Sequence, residues 1–152
     1  MAAMENNNFQ RLGAVSNAHV GNEFEDLVRE YFHGQGFSLV RGFKVPVGIG
    51  QVTKARRFDW GSDDPPILVE CKSHAWTVGG NIPSAKITIW NEAMYYFYTA
   101  PASYRKVLFT LKSVRAGTSL ASYYIKCYVH LIPPGVEIWE YDSMSKEAKR
   151  IL

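Results

Sequence analysis

Cysteine is scarce: the 152 residues hold two, Cys71 and Cys127. Each lies in an apolar stretch, with no second Cys nearby at zinc-finger spacing. A disulfide framework and a structural zinc are therefore not expected, and the compartment that fits is a reducing one, the cytoplasm. Histidine is sparse too, with four residues. His19, His33 and His130 are scattered, which argues against a histidine metal site. Long apolar runs are missing too: the longest, Ala93 to Tyr98, is far short of a membrane span, so no membrane partner is expected. Charge of one sign does not dominate. Seventeen Lys plus Arg against 14 Asp plus Glu leave +3, a mild excess that permits a polyanionic partner without requiring one. Gly48-Ile49-Gly50 lacks the third glycine of a dinucleotide fingerprint and no helical pattern follows it, so it reads as a turn or bulge.

What is present is enough to build a core. Hydrophobic residues make up 47% of the chain and charged ones 20%, which excludes a disordered or fibrous protein and fits one compact domain. Residues 1–16 are polar, Asn-rich and aperiodic, and read as a frayed leader outside the fold. The domain then runs over 17–152. Phe24, Leu27, Val28, Tyr31 and Phe32 recur at helical spacing and predict a helix from about Asn17, ended by Gly34 and Gly36. Phe37 to Val40 and Phe43 to Ile49 look like a strand pair with an irregular edge. Arg56 to Trp60 reads as a strand, followed by an acidic turn through Asp63, Asp64, Pro65 and Pro66, and then a buried central strand, Ile67 to Lys72. Ser84 to Tyr98 carries Ile87, Trp90, Met94 and Phe97 at helical spacing. Val107 to Leu111, Ser122 to Ile132 and Val136 to Tyr141 read as strands, and Ser143 to Leu152 as a short basic helix. The expected class is α/β, a central mixed β-sheet flanked by helices.

The chemistry concentrates between Arg56 and Ser73. Alternation on the central strand puts Leu68, Glu70 and Lys72 on one face and Ile67, Val69 and Cys71 on the other. An acid and an amine on a buried face require compensation by further charge. A divalent cation held by Glu70 and a second carboxylate would supply it, and Asp59, at the end of the preceding strand, is the natural second ligand. All the candidate ligands are oxygens, so magnesium is the expected ion. Such an ion polarises a phosphoryl oxygen and acidifies a bound water, while Lys72 orients that water or steadies developing charge. The plainer alternative for Glu70 and Lys72 is a solvated ion pair on an exposed sheet face.

Asp59 followed by Glu70-Cys71-Lys72 on an apolar strand resembles the PD-(D/E)XK nuclease superfamily, which includes restriction endonucleases and Holliday-junction resolvases. The segment Gly21-Asn22-Glu23-Phe24-Glu25 is similar to the family's first helix, and the helix from Ser84 to the helix after its active-site strand, so the resemblance spans about Asn17 to Leu111. It implies a restriction-endonuclease-like core and a Mg2+-dependent DNA endonuclease, with Mn2+ able to substitute. Asp59, Glu70 and Lys72 would be catalytic, and Glu25 would approach the metal from the first helix. Metal contacts would come from Asp59, Glu70, Glu25 and the backbone carbonyl of Cys71. Phe58 stands where the family often has Pro. The partner would be DNA, and a homodimer or higher homo-oligomer would be needed to cut both strands. The alternative from another class is a catalytically inactive nucleic-acid-binding or assembly module.

Further candidates are secondary. Lys44, Lys54, Arg56 and Arg57 could track phosphates, as could Lys146, Lys149 and Arg150, although charge runs are usually solvated surface. Trp76 to Pro83 has the composition of a mobile substrate loop or of an ordinary connection. His74 could act as an acid, or simply hydrogen-bond locally. Tyr95, Tyr96 and Tyr98 could form a subunit interface or pack the core.

Overall fold

The computed structural model describes residues 17–152, so the expected leader lies outside the described residues. The first helix, α1 (Asn17–Gly34), buries Phe24, Val28 and Phe32 against the sheet. Leu27, expected on the same stripe, is instead exposed. Gly36, at φ +90°, turns the chain back so that the Phe37 N–H reaches the Phe32 carbonyl, a helix end that a residue with a Cβ would strain.

Six strands form one mixed sheet: β1 (Val40–Val47), β2 (Lys54–Asp63), β3 (Pro66–Lys72), β4 (Arg105–Leu111), β7 (Glu137–Asp142) and β8 (Glu147–Arg150), in the order β1-β2-β3-β4-β7-β8. β1, β2 and β3 make an antiparallel meander, β3, β4 and β7 are parallel, and β8 returns antiparallel to β7. The parallel crossovers need covering helices. α2 (Ser84–Thr99) joins β3 to β4, and α3 (Leu120–Tyr128) lies between β4 and β7, after a small hairpin of β5 (Val114–Arg115) and β6 (Thr118–Ser119). α1 packs on one face with Trp60, Ile67, Val69 and Phe109. α2 and α3 pack on the other with Phe58, Leu68, Leu108 and Ile138. The chain is thus α/β, a mixed six-stranded sheet flanked by three helices. No helix among the described residues is long and apolar enough to cross a membrane.

Three expectations about elements need correction. Phe37 to Leu39 is not a strand, and β1 pairs with β2 rather than with the segment before it. Pro46 is tolerated there because β1 is a sheet edge. Ser122 to Ile132 is not a strand. It forms most of α3 and a following 3-10 turn (Val129–Leu131). Its aromatic and β-branched content suggested a strand, but the Ser119 hydroxyl caps the helix by accepting from the Ser122 N–H, and Leu120, Ala121 and Tyr124 bury one helical face. Ser143 to Leu152 is not a helix. Asp142 Oδ1 accepts from the Met144 and Ser145 N–H groups, which turns the chain tightly and lets β8 complete the open ladder of β7.

Candidate functional site

The site begins with a break in the sheet. Phe58 and Trp60 are two residues apart and would share a face on a regular strand, yet Phe58 stacks on Phe97 of α2 while Trp60 packs beneath α1. The strand therefore turns over at Asp59. Gly42, the residue opposite on β1, sits at φ +64° with the Arg57 side chain across it, a backbone state that suits glycine. On the other side, the pairing of β2 with β3 ends at Trp60 and Val69. Beyond that pair the strands part, and Asp59 Oδ2 enters the gap to accept the Cys71 N–H at 2.8 Å.

A cleft of about 360 Å³ occupies this opening, lined by Glu25, Arg41, Arg56, Asp59 and Glu70, among others. The break in the sheet explains how Glu25, on the α1 side, and Glu70, on the α2 side, reach one cavity. The structure therefore brings Asp59, Glu70 and Glu25 to the same place. Lys72 follows from the alternation of β3: its Nζ lies 3.4 Å from Glu70 Oε2, and its side chain is only 12% exposed. Cys71 presents its side chain toward the α1 core, and its backbone meets Asp59.

Burial and the neighbouring Asp59 charge push Glu70 up to about 7, against the smaller pull of Lys72 and Arg56. Glu25 is raised for the same two reasons, offset in part by Arg41. Burial, with Asp59, Glu25 and Glu70 all adding, raises the Cys71 thiol well above its ordinary range. The cations are distributed unequally. Arg41 binds Glu25 and Asp26 through separate nitrogens and lies 4.4 Å from the Trp60 ring centroid. Arg56 Nη2 stands 3.6 Å from Glu70 Oε1, too far for a hydrogen bond. Glu70 Oε1 is consequently buried without a hydrogen-bond partner, and so is Arg56 Nε.

No family model, no curated protein and no solved structure matches this chain. Its chemistry has to be read from its own side chains. The donors in the cleft are carboxylate oxygens, and one of them is a buried orphan, a combination that suits a hard divalent cation. Among the described residues, no three His, Cys, Asp or Glu side chains form a ready-made metal cluster. Asp59 and Glu70 could hold an ion whose remaining ligands are water and substrate oxygens, the way magnesium is usually bound. Glu25 lines the same cleft, with its Oε2 engaged by Arg41.

His74 follows the site strand and accepts a hydrogen bond at Nδ1 from Trp90 Nε1 at 2.9 Å. Burial, then Lys72 and Lys86, lowers it to about 4, so it is neutral at pH 7 and bonded locally. The loop at Trp76 is anchored: the indole donates to the Thr118 carbonyl, packs on Tyr123 and lies under Arg115. Tyr96 supports Arg56, whereas Tyr95 and Tyr98 are exposed. Sequence reasoning missed Arg41 and Tyr96 as parts of the site. Their signal is the register of β1 against Trp60 and the spacing of α2 over Arg56, neither of which can be drawn before the strands are paired.

Proposed function

We propose that this protein is a metal-dependent DNA endonuclease of the PD-(D/E)XK type. The observation that carries the reading is the buried, unpartnered Oε1 of Glu70 beside Asp59 in an open cleft. Leaving an acid there costs stability unless a ligand uses it. The element order α1-β1-β2-β3-α2-β4, with an acid on the first helix and the acid and lysine on the third strand, supports a restriction-endonuclease-like core. Magnesium, when bound, supplies Lewis-acid polarisation of the phosphoryl group and a more acidic water. Asp59 and Glu70 hold it. Lys72, nearly buried and beside Glu70, has no freedom to serve as a surface solubilising charge; it orients the attacking water and stabilises the extra negative charge of the transition state. Lys44, Lys54 and Arg57, exposed on the β1-β2 hairpin, meet backbone phosphates. One cleft per chain cuts one strand, so cleavage of both strands requires a symmetric homodimer or a higher assembly.

The test is nicking of supercoiled plasmid with Mg2+, with and without chelator. Wild type nicks only with the ion. Lys72→Ala binds duplex DNA within about twofold of wild type and loses cleavage by about 100-fold or more. Intact cleavage in Lys72→Ala would remove the mechanism.

A second reading, an assembly or nucleic-acid-binding module without catalysis, is favoured by the arginines already facing Glu25 and Glu70. A cleft that takes no divalent ion would decide for it.

A further inference from the structure

Two arginine-glutamate pairs in this protein are built differently. Arg105 and Glu137 form a closed fork, with bonds of 2.6 and 3.0 Å from separate guanidinium nitrogens to separate oxygens, the geometry of a structural pair. Arg56 and Glu70 do not close: 3.6 Å separates them, and each keeps a buried polar atom unbonded. The Arg56 guanidinium rests instead on an aromatic bed, 4.0 Å from the Tyr96 ring centroid and 5.7 Å from that of Phe58. That bed holds the cation whether or not Glu70 stays its counter-charge. The Glu70 side chain is 4% exposed, and the residue lines the cleft.

We propose that Arg56 is a built-in competitor for the divalent cation and a sensor of the nucleic-acid phosphate. This rests on the endonuclease reading and names how metal and substrate binding are coupled at that site. Without metal, Arg56 and Lys72 are the cations set against the ionised form of Glu70. A divalent ion on Glu70 displaces the guanidinium from its role and leaves the group with a positive excess. Arg56, still seated on Tyr96, then turns its fork toward a phosphodiester oxygen. Cation and DNA therefore strengthen each other's binding, and by linkage the factor is the same in both directions.

The experiment uses the full chain and the variants Arg56→Gln and Arg57→Gln. Arg57 loses the same charge one residue away, from a side chain that lies across Gly42. Mn2+ affinity without DNA is measured by calorimetry, and binding of a duplex oligonucleotide by anisotropy with and without non-cleaving Ca2+. Arg56→Gln is expected to bind Mn2+ about fivefold or more tightly than wild type and to lose most of the Ca2+ enhancement of DNA binding. Arg57→Gln, which removes a phosphate contact, is expected to weaken DNA binding by the same factor with and without Ca2+, so that the enhancement itself is kept, and to change Mn2+ affinity less than Arg56→Gln does. If wild type binds Mn2+ and cuts DNA but Arg56→Gln binds Mn2+ no tighter, the competitor role is overturned and the endonuclease stands. If wild type binds no Mn2+, both fall together. Should Arg56→Gln melt below the assay temperature, Arg56→Lys is measured instead. Its ammonium lacks the planar stacking, so Mn2+ affinity rises by a smaller factor, and no rise overturns the role.

Discussion

At the scale of single residues, Glu70 carries the clearest consequence of burial. Its folded-state value of about 7 lies above the ordinary 4.5, so folding favours the protonated form. Its contribution is complete below about pH 4.5 and is lost as pH rises toward 7. The side chain is nearly inaccessible, and the shift corresponds to about 3 kcal/mol. Glu70→Gln removes the ionisation. In chelator at pH 8 the variant is expected to melt above wild type, with the difference vanishing near pH 4.5; a variant that melts lower at pH 8 would contradict the burial argument. The comparison needs the variant because His74 acts in the opposite sense. Its value is lowered from 6.5 to about 4, so its contribution is present above 6.5 and lost as pH falls. The pairing of Glu70 with Lys72 on one face was legible in the sequence, since strand alternation alone dictates it. The approach of Glu25 came only from the family resemblance and not from strand alternation, because it depends on β2 turning over at Asp59, opposite Gly42 on another strand.

At the scale of elements, local chemistry decided what composition could not. The stretch around Tyr123 to Tyr128 has the residues of a strand, yet Ser119 starts a helix there. Its hydroxyl accepts the Ser122 N–H and bonds the buried Glu140 carboxylate. Ser119→Ala therefore removes a cap and leaves an acid with one partner fewer. A loss of about 1–2 kcal/mol is expected in denaturant melts, and an unchanged midpoint would show that tertiary packing alone holds α3. The C-terminal residues make the same point. Their basic character suggested a helix, but the Asp142 turn and the open edge of β7 favour a hairpin, and an edge is a property of the assembled sheet. α1, β3 and α2 were legible because each has a strong period and clear stops.

At the scale of the whole molecule, the helices cover opposite faces and the meander β1-β2-β3 opens where its last two strands separate. That opening places carboxylates from a helix and two strands in one cleft and sets the basic β1-β2 hairpin at its rim. Electrostatics follow the same plan. A net charge of +3 is small, so on the endonuclease reading the affinity for DNA rests on the local charge of the hairpin and the cleft and not on the field of the whole chain.

Mn2+ binding to the purified chain, compared with the Asp59→Ala, Glu70→Gln double variant, reports on that arrangement most directly. Wild type is expected to bind about one ion per chain in calorimetry, and the double variant to bind at least about 100-fold more weakly. Equal binding by the two proteins, or none by wild type, would mean that these carboxylates do not form a metal centre.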